Sequence, residues 1–320
     1  MKIFITGGTG VLGKRLVPKL VELGHSVGVV VRSEKKAEVV KSHGAIPIKA
    51  NLFDQNQVET ALEGYDAVIH LATAIPTKVK TKPNDWDLNN RLRTEATKIL
   101  LDASLKHNVQ LYIQESFMGI YGHHDDTIVN ETQKITTPVE TAVNIGNDYQ
   151  QIFSSLVKME ALVQEANSNG LPTIILRFGM FYAHDASMIP DMAEGKFPIV
   201  GDGMNYMSVL NIEDAVESIL AAVKNFKSNT GKVFNIADNN VPTMKELLSY
   251  SSQVIGKKKA SKAPRFLVRL LFGKFALNFM TNSTRMDNTR AKTELSWEPI
   301  YSSYQEGIKH EIDLYRKFNN

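Results

Sequence analysis

The segment Thr6-Gly7-Gly8-Thr9-Gly10-Val11-Leu12-Gly13 sets glycines at Gly7, Gly10 and Gly13, directly after a short apolar run and at the start of a helical pattern. A chain that turns tightly and brings its backbone against an anion needs residues without a Cβ. A helix opening at such a turn offers unpaired amides and the positive end of its dipole, which together hold a pyrophosphate. Strand, loop, helix and second strand in this order predict a nicotinamide-dinucleotide site and not a plain glycine-rich turn. All eight residues of the loop are candidate cofactor contacts. The second strand ends at Arg32, followed by Ser33, Lys35 and Lys36. A carboxylate there bonds the ribose diol of NAD(H), whereas a guanidinium grips a 2′-phosphate through paired charged hydrogen bonds. NADP(H) is therefore expected over NAD(H).

Later strand ends extend the same wall. Asn51 and Leu52 follow the third strand and can place an amide against the adenine edge. Leu71, Ala72 and Thr73 end the fourth, beside the expected path of the cofactor. Asp54 reads as a helix cap, with Gln57 three residues on as in a capping box. His70 reads as a core histidine. His123, His124, Asp125 and Asp126 share one loop without partner spacing elsewhere, so a solvated turn is expected and no metal.

These residues need a scaffold, and the periodicity supplies one. Apolar runs at 2–6, 27–31, 45–49, 66–71, 109–115, 172–177 and 232–236 alternate with helical patterns at 11–23, 34–42, 55–63, 86–107, 149–168 and 212–225. Mostly apolar strands separated by helices predict a parallel sheet covered on both faces, doubly wound in the Rossmann manner. Residues 1–178 are expected to form the NADP(H)-binding domain, with the chain returning to it at about 208–236. Residues 179–320 form a smaller mixed α/β lobe for substrate, with helices at 243–255, 264–280 and 303–318. The loop 73–87 carries three lysines and a tryptophan and could act as a flap over an anionic substrate. The basic, apolar segment 262–280 is expected to lay its apolar face over the substrate cleft, a membrane-surface helix being the alternative.

Composition narrows the class. The chain has 320 residues, 43% of them hydrophobic, and a net charge of +3. That charge does not argue for nucleic acid. The absence of cysteine removes disulfides, cysteine-based zinc sites and a cysteine nucleophile, and is compatible with a reducing cytoplasm. No apolar stretch reaches the ~18 residues of a transmembrane helix, so no stable membrane anchor is expected.

The glycine loop, Asn51-Leu52-Phe53-Asp54, His70-Leu71-Ala72, Tyr121-Gly122, Leu176-Arg177-Phe178-Gly179 and Glu294-Leu295-Ser296-Trp297-Glu298-Pro299 occur in one order. Together they resemble the extended short-chain dehydrogenase/reductase superfamily in its NAD-dependent epimerase/dehydratase branch, over nearly the whole chain. The resemblance implies an oxidoreductase or epimerase with a small-molecule substrate, and a homodimer through helices 86–107 and 149–168. It also implies a Tyr and a Lys four residues apart on one helix, the lysine charge lowering the phenol pKa for proton exchange. Here the sequence departs from the family. Tyr149 is followed four residues later by Phe153, Lys158 is preceded four earlier by Ser154, and Phe117 stands four before Tyr121 where a Ser or Thr is expected. Ser116, Tyr149, Tyr121 or a water remain the candidate proton donors. The helix at 86–107 carries Arg91 and Arg93. No arginine occurs in 201–208, where nucleotide-sugar members hold a pyrophosphate. The expectation is an NADP(H)-dependent oxidoreductase or epimerase on a small organic substrate. The alternatives are a catalytically silent NADP(H)-binding sensor or scaffold, and a nucleotide-sugar epimerase or dehydratase.

Overall fold

The computed structural model describes residues 1–76, 81–135, 147–185, 188–194, 196–257 and 259–319. Strands β1 (Lys2–Thr6), β2 (Ser26–Val31), β3 (Ile46–Lys49), β4 (Ala67–His70) and β5 (Leu111–Phe117) join Thr173–Phe178 and Lys232–Ile236 in a seven-stranded sheet. All its pairings are parallel, in the order Lys232–Ile236, Thr173–Phe178, β5, β4, β1, β2, β3. The apolar runs of the sequence become these strands because both faces are buried. Ile3, Ile5, Ile69 and Ile113 pack against Leu16 and Leu20 of helix α1 (Gly13–Glu22) and against Ile219 of helix Ile212–Asn229. Phe4, Val68 and Tyr112 pack on the other side against Val58, Leu62, Leu100 and Val163. This is a Rossmann-type doubly wound fold. Strand order reverses at β1, which pairs with both β2 and β4, and a crevice opens at the carboxyl ends where the crossovers diverge.

A separate cluster including Met188, Ile189, Met207, Met244, Leu247 and Ile308 forms the core of the remaining residues. The loop-rich stretch after Phe178 contains short strands at Met180–Tyr182, Ile199–Val200 and Val209–Asn211, the first and last paired with each other.

Three elements differ from the sequence expectation. The helix expected at 86–107 begins as a 3-10 turn, Pro83–Trp86, and is α-helical over Asp87–Arg91 and Thr97–Lys106 with a π-turn, Leu92–Ala96, between them. At the π-turn the Leu92 carbonyl accepts the Thr97 backbone N–H, and also bonds His70 Nε2 (3.4 Å) and Thr97 Oγ1 (3.3 Å). Helix Arg265–Thr281 breaks at Gly273 (φ 89°), because only glycine takes that backbone freely. Its apolar face therefore does not cover a cleft throughout. Phe266, Leu270 and Leu271 face solvent, while Phe275 beyond the break lies against Trp86, with ring centroids 4.9 Å apart. The helix starting at Ile212 runs on to Asn229 through a non-helical Asn225, whose amide bonds the Leu295 carbonyl at 2.9 Å.

Candidate functional site

The glycine loop lies at the carboxyl end of β1, in the crevice. Gly7 has φ +76°, and a Cβ there would sit 2.5 Å from the Leu71 carbonyl carbon. The loop thus presses on the end of β4. A Cβ on Gly13 would overlap the Gly7 carbonyl oxygen, so the third glycine lets α1 start against the loop. Gly7 O accepts from Gly10 N at 2.9 Å, closing the turn. The first turn of α1 holds no acidic residue, and Leu12, at its N-cap, makes no side-chain bond to the free amides. Lys14 N and Arg15 N bond Gly10 O and Leu12 O, and the amides of Val11, Leu12 and Gly13 remain for an anion, so the loop fits a dinucleotide pyrophosphate.

The eight loop residues divide by exposure. Thr6, Gly8, Leu12 and Gly13 are buried beneath the turn, and Gly7, Thr9, Gly10 and Val11 form its surface. Thr6 supports the loop through His70, its Oγ1 bonding Nδ1 at 2.5 Å. With Nε2 turned to Leu92 O, both nitrogens of His70 are used, and burial lowers its pKa to about 4. It is a neutral core residue.

Arg32 is exposed at the end of β2 and makes no ion pair or hydrogen bond among the described residues. Ser33 caps helix α2 (Glu34–Ser42) by accepting from Lys36 N. Asn51 is exposed, but its Oδ1 accepts from Phe53 N at 3.1 Å and holds the turn. Asp54 caps helix Gln55–Leu62 as the sequence suggests, while Gln57 reaches the Asp54 carboxylate and Asn51 N and not the cap's own amide. Leu71 is buried, Ala72 partly exposed and Thr73 exposed, lining the crevice beside the loop.

The candidate catalytic hydroxyls have other partners. Ser116 is buried and donates to Glu160 Oε1 at 2.6 Å. Glu160, from helix Asn147–Ser168, also receives Arg177 through two bonds of 2.9 and 2.6 Å. Arg177 donates to Tyr121 Oη at 2.8 Å, and Tyr121 donates to Asn235 Oδ1 at 2.7 Å. Burial pushes the Tyr121 phenol up to about 12. Ser116 and Tyr121 thus join one buried network that ties β5, the helix and the next two strands. Tyr149 lies in the first turn of the same helix, with its side chain outside the described residues.

That helix presents Leu156 and half-buried Ile152 at four-residue steps before Glu160, both packed in the apolar core. Lys158 and Ser154 are exposed. They line a polar hollow of about 610 Å³ with Asp87, Asn90 and Thr94 of the split helix. No tyrosine in the chain has a lysine four residues on.

The split helix supplies groups the sequence pointed to only in outline. Arg91 faces outward, paired with Glu95 at 2.9 Å and 4.3 Å above the Phe53 ring. Arg93 is 8% exposed, and its Nη1 has no hydrogen-bond partner. The Nδ2 of fully buried Asn89 and the Nε1 of Trp86 lack partners as well. Positions 86, 89 and 93 fall on one helix face. That face meets the end of β4, since Asn89 Oδ1 takes the Ala74 N–H at 3.0 Å. Glu115, at the end of β5, stands near enough to raise the Arg93 pKa, which burial lowers to about 10. Burial pushes the Glu115 carboxyl up to about 7 against the pull of Arg93. The two form no ion pair among the described residues. Several buried donors and a carboxyl that is half protonated near neutrality thus gather at the carboxyl ends of β4 and β5. An arginine breaking an apolar helical stretch was the available signal for Arg93; nothing in a single sequence marks Glu115.

Among the aromatic and methionine residues after β5, Met118, Tyr121, Phe178, Tyr182, Met188 and Met207 are core, and Phe117, Met180, Phe181 and Tyr206 keep some exposure. His123 binds Asp125 at 2.8 Å and accepts the Ser283 N–H at 3.1 Å, which pins its loop to the C-terminal residues. The part of the flap spanning 77–80 lies outside the described residues.

Fold and loop define a dinucleotide-binding α/β protein of the Rossmann type. The family model for the NAD dependent epimerase/dehydratase family matches residues 3–237, and the chain belongs to that family. It is 25% identical over 319 residues to a 3-diazoavenalumate denitrifying reductase from a Streptomyces species, covering 97% of this chain and 100% of the relative. It is 27% identical over 282 residues to the 2-alkyl-3-oxoalkanoate reductase of Stenotrophomonas maltophilia, covering 83% and 79%. Among solved structures, the UDP-glucose 4-epimerase of Thermotoga maritima with UDP-glucose superposes with a TM-score of 0.77 at 25% identity, covering 100% of both chains. The chain is an enzyme of an NAD(P)-dependent family of reductases, epimerases and dehydratases.

Proposed function

We propose that the protein is an NADP(H)-dependent reductase of a small organic carbonyl compound, with Arg93 and Asn89 holding the reacting oxygen and Glu115 exchanging its proton. One observation carries this reading: two buried donors without partners, on one helix face, at the carboxyl ends of the strands beside the glycine loop. Buried donors are paired in nearly all proteins, and an exception at a crevice marks a place for an acceptor.

The dinucleotide, when bound, supplies or accepts the hydride. The chain's residues do the rest. Arg93 stabilises negative charge developing on a substrate oxygen, more strongly in a site shielded from water. Asn89, anchored through its oxygen to Ala74, offers its amide to the same group. Glu115 is poised to give a proton to that oxygen near neutral pH. The carbonyl carbon gains the hydride, its oxygen gains the proton and the dinucleotide is oxidised. Arg32 favours the phosphorylated cofactor. It also weighs against nucleotide-sugar epimerisation, as does the absence of arginine in 201–208. Two long relatives bearing the name reductase agree with this.

Titration with NADPH and NADH by nicotinamide fluorescence tests the cofactor, and Arg32→Asp tests its determinant. The substitution should weaken NADPH by roughly tenfold or more and spare NADH. Equal affinity of the wild type for both would return Arg32 to the ordinary surface.

A further inference from the structure

Every charged residue between Glu246 and Asp287 is Lys or Arg, in a chain whose overall balance is only +3. At the centre of this stretch the first half of helix Arg265–Thr281 turns Phe266, Leu267, Leu270 and Leu271 outward, 72%, 36%, 70% and 54% exposed. Val268 alone on that half is buried. At 3.6 residues per turn the four apolar side chains cover about 140° of the helix circumference. Arg269, exposed, stands about 60° beyond the Phe266 edge of that arc, and Lys262, also exposed, lies just before the helix, whereas Arg265 stands about 170° from the centre of the arc with its stem against Gly201. Val268 anchors one side of the segment to the protein, and the other side is apolar with a cation at its edge. Large apolar side chains grouped on a surface are uncommon, and a basic border selects an anionic counterpart.

We propose that this face docks on the surface of an anionic lipid bilayer, with Phe266, Leu267, Leu270 and Leu271 entering the headgroup boundary and Arg269 and Lys262 meeting the lipid phosphates and carboxylates. The charge pattern favours a membrane over a second copy of the chain, since two such faces would bring like charges together. The apolar stripe disfavours nucleic acid, whose backbone would leave it wet. No helix of the described residues is long and apolar enough to cross a membrane, so the contact is peripheral. Gly273 separates this half from the half bearing Phe275, which packs on Trp86, so docking need not disturb the core. The inference rests on the surface alone and stands apart from the reading of the crevice.

The test is co-sedimentation of the full chain with phosphatidylcholine vesicles, with and without phosphatidylserine, at low and high salt. The wild type should partition to the anionic vesicles and release as salt rises. Phe266→Ser with Leu270→Ser, and separately Lys262→Glu with Arg269→Glu, should each lower the partition coefficient about tenfold or more. NADPH affinity and circular dichroism should stay unchanged, which shows that the variants are folded. Absence of binding to anionic vesicles overturns the proposal. So does undiminished binding by either folded variant, and so does an apolar variant that merely converts a wild-type oligomer to monomer.

Discussion

Arg93 and Arg177 are nearly equally buried, yet replacing each with Met should shift stability in opposite directions. Arg177 is 4% exposed at its side chain and meets Glu160, 5% exposed, through two short bonds. Removing it leaves a buried carboxylate unpaired, at a cost of about 3–5 kcal/mol, and lowers Tm by roughly 10 °C at about 2–4 °C per kcal/mol. Arg93 has no such partner among the described residues. The displacement of its pKa from 12.5 to about 10, at about 1.4 kcal/mol for each tenfold, corresponds to about 3 kcal/mol of lost stability. The sign follows from linkage. A base whose folded pKa is depressed pays a penalty at every pH below about 10, and is relieved only as pH rises from there toward 12.5. Neutral pH carries the full penalty. Arg93→Met keeps most of the stem's volume and should raise stability by about 1–3 kcal/mol, less any packing it loses. The same substitution should lower kcat/KM by about 100-fold for a carbonyl compound that the wild type reduces, the usual effect of losing a donor to a developing oxyanion. Thermal unfolding by circular dichroism, without ligand, and steady-state NADPH oxidation supply the two readouts. If Arg93→Met falls in Tm as Arg177→Met does, Arg93 is a structural residue. If it keeps wild-type turnover, the proposed chemistry is wrong. Lys158→Met is the control, and should leave turnover unaltered because its ammonium faces the outer hollow.

Three further outcomes follow from the geometry. With Glu115 as the proton donor, kcat/KM for reduction should fall as pH rises above about 7, and Glu115→Gln should remove that limb together with most of the rate. Gly7→Ala should abolish NADPH binding and lower Tm, because the new Cβ meets the Leu71 backbone at 2.5 Å and φ is +76°; an alanine variant with native affinity would contradict the loop assignment. Asp238 lies in a buried set and accepts from Tyr182 Oη at 2.8 Å, and burial pushes its carboxyl up to about 8. An acid with a raised folded pKa costs stability increasingly as pH climbs from the unfolded value near 3.8 to about 8. Urea midpoints should decline across that window, and Asp238→Asn should flatten the decline.

The sheet was legible because its strands are apolar on both faces and its helices carry one buried stripe, so local pattern and global packing agree. The glycine loop was legible for a different reason: three backbone approaches each exclude a Cβ, and sequence records such exclusions directly. The catalytic region yields less to the same reading, because its meaning depends on which side of a helix a residue faces after the chain has bent. The π-turn at Leu92–Ala96 adds one residue to a turn, and no periodicity rule anticipates it. Arg91 and Arg93, two residues apart, lie on opposite sides of any helix, and only the packed structure shows that Arg93 is the inward one. The helix that carries Lys158 shows the converse. Its lysine is present in the sequence, but the buried stripe set by Glu160 runs through Leu156 and Ile152 and leaves the ammonium in solvent. On the proposed reading these two observations are one change. A cation beside the reacting oxygen stabilises the charge that reduction creates, whichever helix it comes from. Here no tyrosine has a lysine four residues on, and on that reading a guanidinium enters from the facing helix, across the end of β5. Such an exchange also requires a new proton source, since an arginine cannot give up its proton near neutrality. A desolvated carboxyl next to that arginine meets the requirement, which is why Arg93 and Glu115 should succeed or fail together. In a double-mutant cycle on kcat/KM, Arg93→Met and Glu115→Gln should show a combined loss well short of the product of the two single losses.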